Sequence, residues 1–166
     1  MTTYLYSHPA CVDHDPGPMH PECPDRLRSV LTGLDEKPFR HLQREEAPEI
    51  DLKLVEMVHK PYYIENLIEN VPQDGTVHLD PDTALSPHSG KAIRRASGAA
   101  VAAVDAVVKG DAKNAFCAVR PPGHHAESSR AMGVCLFNAA AISAFHARSA
   151  HGMARVAVVD FDVHHV

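Results

Sequence analysis

Two short apolar runs constrain the fold more than anything else in this chain: Ala115-Phe116-Cys117-Ala118-Val119 and Val156-Ala157-Val158-Val159. Neither alternates apolar with polar residues, and a helical pattern over 134–149 followed by Gly152 separates them. Unbroken apolar strands joined through a helix are the mark of a parallel sheet covered on both faces, and the connection between such strands is right-handed. The expectation is an α/β fold in which Ala115–Val119 and Arg155–Phe161 are parallel strands of one sheet. Ligands in open parallel sheets gather at the carboxyl ends of strands. Both runs open there into loops rich in His and Asp, one carrying His124 and His125, the other Asp160, Asp162 and His164.

Local signals place the remaining elements. Tyr4 to Ser7 reads as a first strand and His8 to Pro24 as a loop dense in His, Pro and Asp. A helix is expected from Asp25 to about Leu34, with Leu27, Val30, Leu31 and Leu34 on one face. Asp51 to Val58 and Pro61 to Glu69 read as two short helices, Asp51 as a cap and Pro61 in a first turn. A long loop spans 71–87. The longest helix follows, with Ser86 as N-cap, Pro87 at the first position and Gly110 as the stop. The 166 residues fit one domain, and 45% hydrophobic content supplies its core.

Composition removes several classes of function. The net charge is −5 and no block of Lys or Arg offers a phosphate-binding face, so nucleic acid is not an expected direct ligand. The N-terminus lacks the basic and apolar regions of a signal peptide, and no apolar run reaches the ~18 residues of a membrane span. A soluble cytoplasmic protein is expected. Cys11, Cys23, Cys117 and Cys135 form no C-x-x-C pair, which argues against a disulfide framework or a structural Cys-zinc site. Thirteen His stand against 5 Phe and 4 Tyr. Most, including His41, His59, His78, His146 and His151, read as structural or solvated.

Two segments carry chemistry. In Pro121-Pro122-Gly123-His124-His125 the prolines stiffen the backbone and Gly123 lets the loop pass close to a ligand. Two imidazoles then enter a cleft, where one can act as general base and the other as its electrostatic partner. In Asp160-Phe161-Asp162-Val163-His164, Asp162 and His164 supply a carboxylate oxygen and an imidazole nitrogen, two donors of the zinc type. Asp160 is placed to orient a neighbouring His, although a helix cap or surface turn explains the same carboxylates. His20-Pro21-Glu22-Cys23-Pro24-Asp25-Arg26 reads first as a rigid loop, with Asp25 starting a helix and Arg26 paired to a carboxylate. Asp80-Pro81-Asp82-Thr83 is a weaker signal, a cap or turn.

Taken together these segments resemble the zinc-dependent histone deacetylase superfamily, in particular class II deacetylases, bacterial deacetylase-like amidohydrolases and acetylpolyamine amidohydrolases. The resemblance rests on His20-Pro21-Glu22 with Pro24 and Arg26, Asp82-Thr83, and Arg120-Pro121-Pro122-Gly123-His124-His125. It continues through Gly133-Val134-Cys135-Leu136-Phe137-Asn138 and Val159-Asp160-Phe161-Asp162-Val163-His164-His165. It implies a three-layer arginase-deacetylase-like α/β fold with a central parallel sheet, of which residues 1–166 form the N-terminal part, truncated at the C-terminal side. It implies zinc held by Asp162 and His164, His125 as general base, and His124 as electrostatic partner held by Asp160. It also implies a potassium site bordered by Asp160, and a substrate channel at Gly133 and Val134, where Val134 stands in place of a frequent Phe. The family pattern continues past the second His of the last motif to a third zinc ligand and an oxyanion-stabilising Tyr, which this sequence does not contain.

The implied activity is hydrolysis of acetyl or other acyl groups from lysine side chains or polyamines, so the expected partner is an acetylated lysine peptide or polyamine. Two other readings stand beside it: a catalytically inactive truncated deacetylase-like module, and a metal-binding or assembly protein in which a second copy, as a homo-oligomer, completes cleft and sheet.

Overall fold

The computed structural model describes residues 2–164. Its centre is a three-stranded, wholly parallel sheet in the order β2-β1-β5, formed by β1 (Thr3–Ser7), β2 (Gln43–Glu46) and β5 (Asn114–Cys117). Tyr4 pairs with Gln43 on one side and Ala115 on the other, so β1 is the internal strand. Alternation along β1 divides its side chains between two layers. Leu5 enters a cluster with Cys11, Leu27 and Ala118, backed by Leu31 and Leu34 of α2 (Pro24–Leu34). Tyr6 enters another with Ala47 and Ala99, against which Tyr4 packs from the same strand and Ala102 and Ala103 from α5 (Ser89–Lys109). The sheet is thus sandwiched between helices, an α/β fold with a central parallel sheet.

The short α1 (Ala10–Asp13) precedes α2, and a 3-10 turn at Lys37–Phe39 leads to β2. Asp51 caps α3 (Leu52–Val55) by accepting from the Lys53 amide, and α4 (Pro61–Glu69) starts at its proline. A two-stranded antiparallel ribbon, β3 (Val77–His78) with β4 (Ala84–Leu85), folds the long loop before α5. The largest apolar cluster lies among these helices and α6 (Ala139–Ser149), through Val55, Ile64, Leu67, Leu85, Ile93, Leu136, Phe137 and Ile142. No helix of the structure is long and apolar enough to cross a membrane.

Four expectations need correction. Arg155–Phe161 is not a strand: no backbone hydrogen bond ties it to another segment among the described residues, and Val158, Val159 and Phe161 are exposed. An apolar run supplies strand propensity, but a strand exists only where a second backbone completes its ladder. β2 was not expected, because Gln43-Arg44-Glu45-Glu46 has no apolar pattern; pairing with β1 makes it a strand. The long helix begins at Ser89 rather than Pro87, since Ser86 is drawn into a local bond from its own amide to Ser89 Oγ. Finally, 134–138 is loop, and α6 begins after Asn138, whose side chain accepts from the Ala141 amide.

Candidate active site

The loop 120–125 leaves β5 at its carboxyl end and is pinned from three sides. Arg120 is buried and makes a two-pronged ion pair with the buried Glu22, with Nη2 2.7 Å from Oε2. Its Nη1 also donates to the carbonyls of Cys11 and His14, at 3.0 and 2.9 Å. A guanidinium with this many acceptors fixes the residue before Pro121, and the Arg120–Pro121 peptide bond is cis. Further on, Asn138 Nδ2 donates to the carbonyls of His124 and Ala126, both at 3.0 Å. The Asn138 amide itself donates to Nε2 of the buried His59 at 2.8 Å.

Gly123 has a different purpose from close passage to a ligand. A Cβ there would stand 2.8 Å from the Ala139 amide nitrogen and 3.0 Å from the Phe137 carbonyl, so the missing side chain lets the loop pack on the start of α6. Gly133 is the glycine that makes room in the site. Its φ of +55° favours glycine, and a Cβ would lie 2.7 Å from the His125 ring. Val134 follows at φ 64°, unusual for a β-branched residue, with its amide donating to the buried Thr83 Oγ1 at 3.1 Å.

His124, His125, Asp162 and His164 face one cavity of about 460 Å³ with Glu22, Arg26, Gly133 and Val134. Arg26 lies on that wall, and the carboxylate Glu22 is taken by Arg120. The His124 and His125 rings lie against each other, tilted by 46° with centroids 4.0 Å apart. His124 Nδ1 is 2.8 Å from Asp160 Oδ2, and His164 Nδ1 is 2.9 Å from Asp162 Oδ2. Donor atoms of His124, His125 and Asp162 all lie within 4.8 Å of one another. His165, the last His of the motif, lies outside the described residues.

Burial first, then the neighbouring His124, lowers the pKa of His125 below the ordinary imidazole value. Asp160 is held below the usual carboxylate range by the Asp162 amide and then by His124; Asp162 is lowered by the His164 amide and side chain. These carboxylates are not on a buried strand, as the apolar run suggested, but on a partly exposed loop.

Sequence reasoning gave no role to Asn138 and paired Arg26 instead of Arg120. The first had a usable signal, because Asn before an Ala-rich helix is a common cap. The second had none, since Glu22 and Arg120 are brought together only by the fold. His20 Nε2 also meets the Asp82 carbonyl at 3.0 Å, tying the first loop to the long one.

A family model described as the histone deacetylase domain matches residues 20–166. The chain belongs to the histone deacetylase family. Mouse polyamine deacetylase HDAC10 is 38% identical, over 87% of this chain and 22% of its own length. The histone deacetylase-like amidohydrolase of Pseudomonas aeruginosa is 39% identical, over 87% of this chain and 37% of its own. The crystal structure of the HDA15 HD domain superposes with a TM-score of 0.82 at 30% identity, covering 90% of this chain and 44% of that one. The chain therefore spans less than half the length of each of these histone deacetylase relatives.

Proposed function

We propose that this histone deacetylase family chain supplies the base, the orienting pair and part of the metal cradle for zinc-dependent hydrolysis of acylated amines. The reading rests on one observation above the rest: His124, His125 and Asp162 bring their donor atoms within 4.8 Å of one another on a shared cavity wall. Asp162 and His164 would hold zinc. Their carboxylate oxygen and imidazole nitrogen, 2.9 Å apart, are the hard and borderline donors that zinc takes, and both face the cavity. When bound, the ion polarises an amide carbonyl and makes water acidic.

The chain's own residues account for the proton. His125 is neutral at neutral pH because burial and His124 lower its pKa, so its free nitrogen can accept a proton and later return it to a departing amine. Asp160 accepts from His124 Nδ1, which orients that ring beside His125. The Asp160 carboxylate would balance positive charge that develops on the histidine pair. Gly133 and Val134 border the way in, and the expected substrate is the slender acyl-lysine or acylated polyamine chain. Asp160 would also border a potassium ion. Each of its oxygens accepts one bond, from His124 and from the Asp162 amide, leaving lone pairs for a hard cation.

A second reading, a metal-binding module without hydrolysis, is favoured by one feature. The His164 side chain is 77% exposed, so the cradle is wet on one side, and a water-filled site weakens electrostatic stabilisation. The experiment is release of acetate from an acetyl-lysine peptide and from an acetylated polyamine, with zinc or with chelator. Chelator-sensitive release, lost in His125→Ala and in Asp162→Ala, supports hydrolysis. Zinc binding that Asp162→Ala abolishes, with no release from either substrate, supports the module.

A further inference from the structure

Away from the cavity, at the contact between α5 and α6, three side chains converge that the deacylase reading does not use. Asp105 projects from α5, His146 from the last turn of α6, and His151 from the turn that ends it. Both imidazoles bring Nε2 to the same oxygen: His146 and His151 each lie 2.6 Å from Asp105 Oδ1. The rings stand almost perpendicular, 86° apart with centroids 5.3 Å apart, so both reach the same oxygen without colliding. The three donor atoms lie within 4.8 Å of one another. The other carboxylate oxygen takes Lys109 Nζ at 3.4 Å.

One carboxylate oxygen has lone pairs for both imidazoles, and a carboxylate oxygen with two ring nitrogens is also a donor set that zinc takes. Zinc bonds of about 2.0–2.1 Å in a tetrahedral site put donors roughly 3.3 Å apart, so the two oxygen–nitrogen spacings, now 2.6 Å, would open by about 0.7 Å, while the two nitrogens already lie within 4.8 Å of each other. His146 is buried and its Nδ1 has no partner among the described residues, so the contact with Asp105 is the one hydrogen bond its ring makes among them. We propose that Asp105, His146 and His151 form a second metal site, for a borderline divalent cation such as zinc, independent of the cavity lined by Asp162.

The site has three protein ligands, and Asp105 is open enough to solvent for water to take a fourth position. Burial raises the pKa of Asp105, but the bonds from His146 and His151 outweigh it and hold the carboxyl at about 2, so the ligand is anionic at any physiological pH. Its effect is mechanical. His151 lies in the turn closed by Gly152 N to Arg148 O and Met153 N to Ala147 O, immediately before the segment that carries Asp160 and Asp162. A bound ion staples that turn to α5 and sets where the segment leaves the fold.

The test uses zinc itself. Bound zinc is measured by metal analysis after dialysis at a fixed free concentration, in the parent protein, His151→Ala, Asp162→Ala and the double variant. His151→Ala should remove one equivalent whether or not Asp162 is present. Zinc should raise the unfolding temperature of Asp162→Ala and leave that of the double variant unmoved. Asp105→Asn, which keeps the shape and an acceptor oxygen, should lose the same equivalent and guards against a folding defect at position 151. Equal zinc with and without His151, in either background, overturns the proposal. Failure of the deacylase reading would show separately, as no effect of Asp162→Ala on zinc or acetate release.

Discussion

Glu22 and Arg120 form an ion pair with side chains only 4% and 6% exposed, joining the His20 loop to the residue at the root of His124 and His125. The pair sits against the cavity but faces the core, since Arg120 also satisfies the Cys11 and His14 carbonyls. Its contribution is to aim the loop 121–125, and breaking it leaves a buried charge without a counterion. Arg120→Met should cost about 3–5 kcal/mol of stability, as removal of one partner of a buried pair does. Urea unfolding measures it. A loss under 1 kcal/mol would mean water replaces the guanidinium and the pair is not the anchor it looks.

The short bond between Asp160 and His124 gives a different signature. Asp160→Asn keeps the shape but replaces an anionic acceptor with a neutral amide, so the anion no longer orients the His124 ring. Acetate release should fall by roughly tenfold to a hundredfold, the size of effect that partners orienting a site imidazole commonly have. The unfolding temperature should change little, because the bond lies in a partly exposed loop. A large fall in unfolding temperature with normal turnover would reverse the assignment.

Gly133→Ala places a methyl group 2.7 Å from the His125 ring on a backbone with φ +55°. Strain of this kind costs of order 1–3 kcal/mol. The ring can yield by turning away, which converts strain into lost catalysis. Turnover should drop sharply while the unfolding temperature falls by a few degrees, and Asn at the same position should restore neither. Full activity in Gly133→Ala would show that the His125 ring is not held where the structure has it.

Stability should also depend on pH through His14, which is buried between Ser89 and Glu22 with its pKa lowered to about 4, by burial before all else. The unfolded chain binds this proton near pH 6.5 and the folded chain only near 4, so the unfolded state holds more protons between those values. Stability is therefore full above about pH 6.5 and declines as pH falls toward 4, by on the order of 3 kcal/mol, beyond which the loss levels off. His14→Gln should flatten that slope in denaturant titrations from pH 7 to 4. An unchanged slope would place the titrating group elsewhere.

What the sequence determined by itself was local. Asp51 as a cap, Pro61 at a first turn, Gly110 as a stop and the limits of α2 and α4 all follow from backbone chemistry within a few residues, which a sequence states directly. That His124 and His125 would meet Asp160, Asp162 and His164 was likewise legible from residue type and spacing, and the structure brings these side chains together. The tertiary structure decided what depends on partners distant in the chain. Four polar residues, Gln43 to Glu46, became a strand because β1 offered a free edge, while the more apolar Val156–Val159 did not because no ladder partner meets it among the described residues. Glu22 found Arg120 across 98 positions, and Asp105 found His146 and His151 across 41 and 46. Hydrogen bonds and ion pairs act over a few ångströms, so only the folded chain determines which distant groups come within their range.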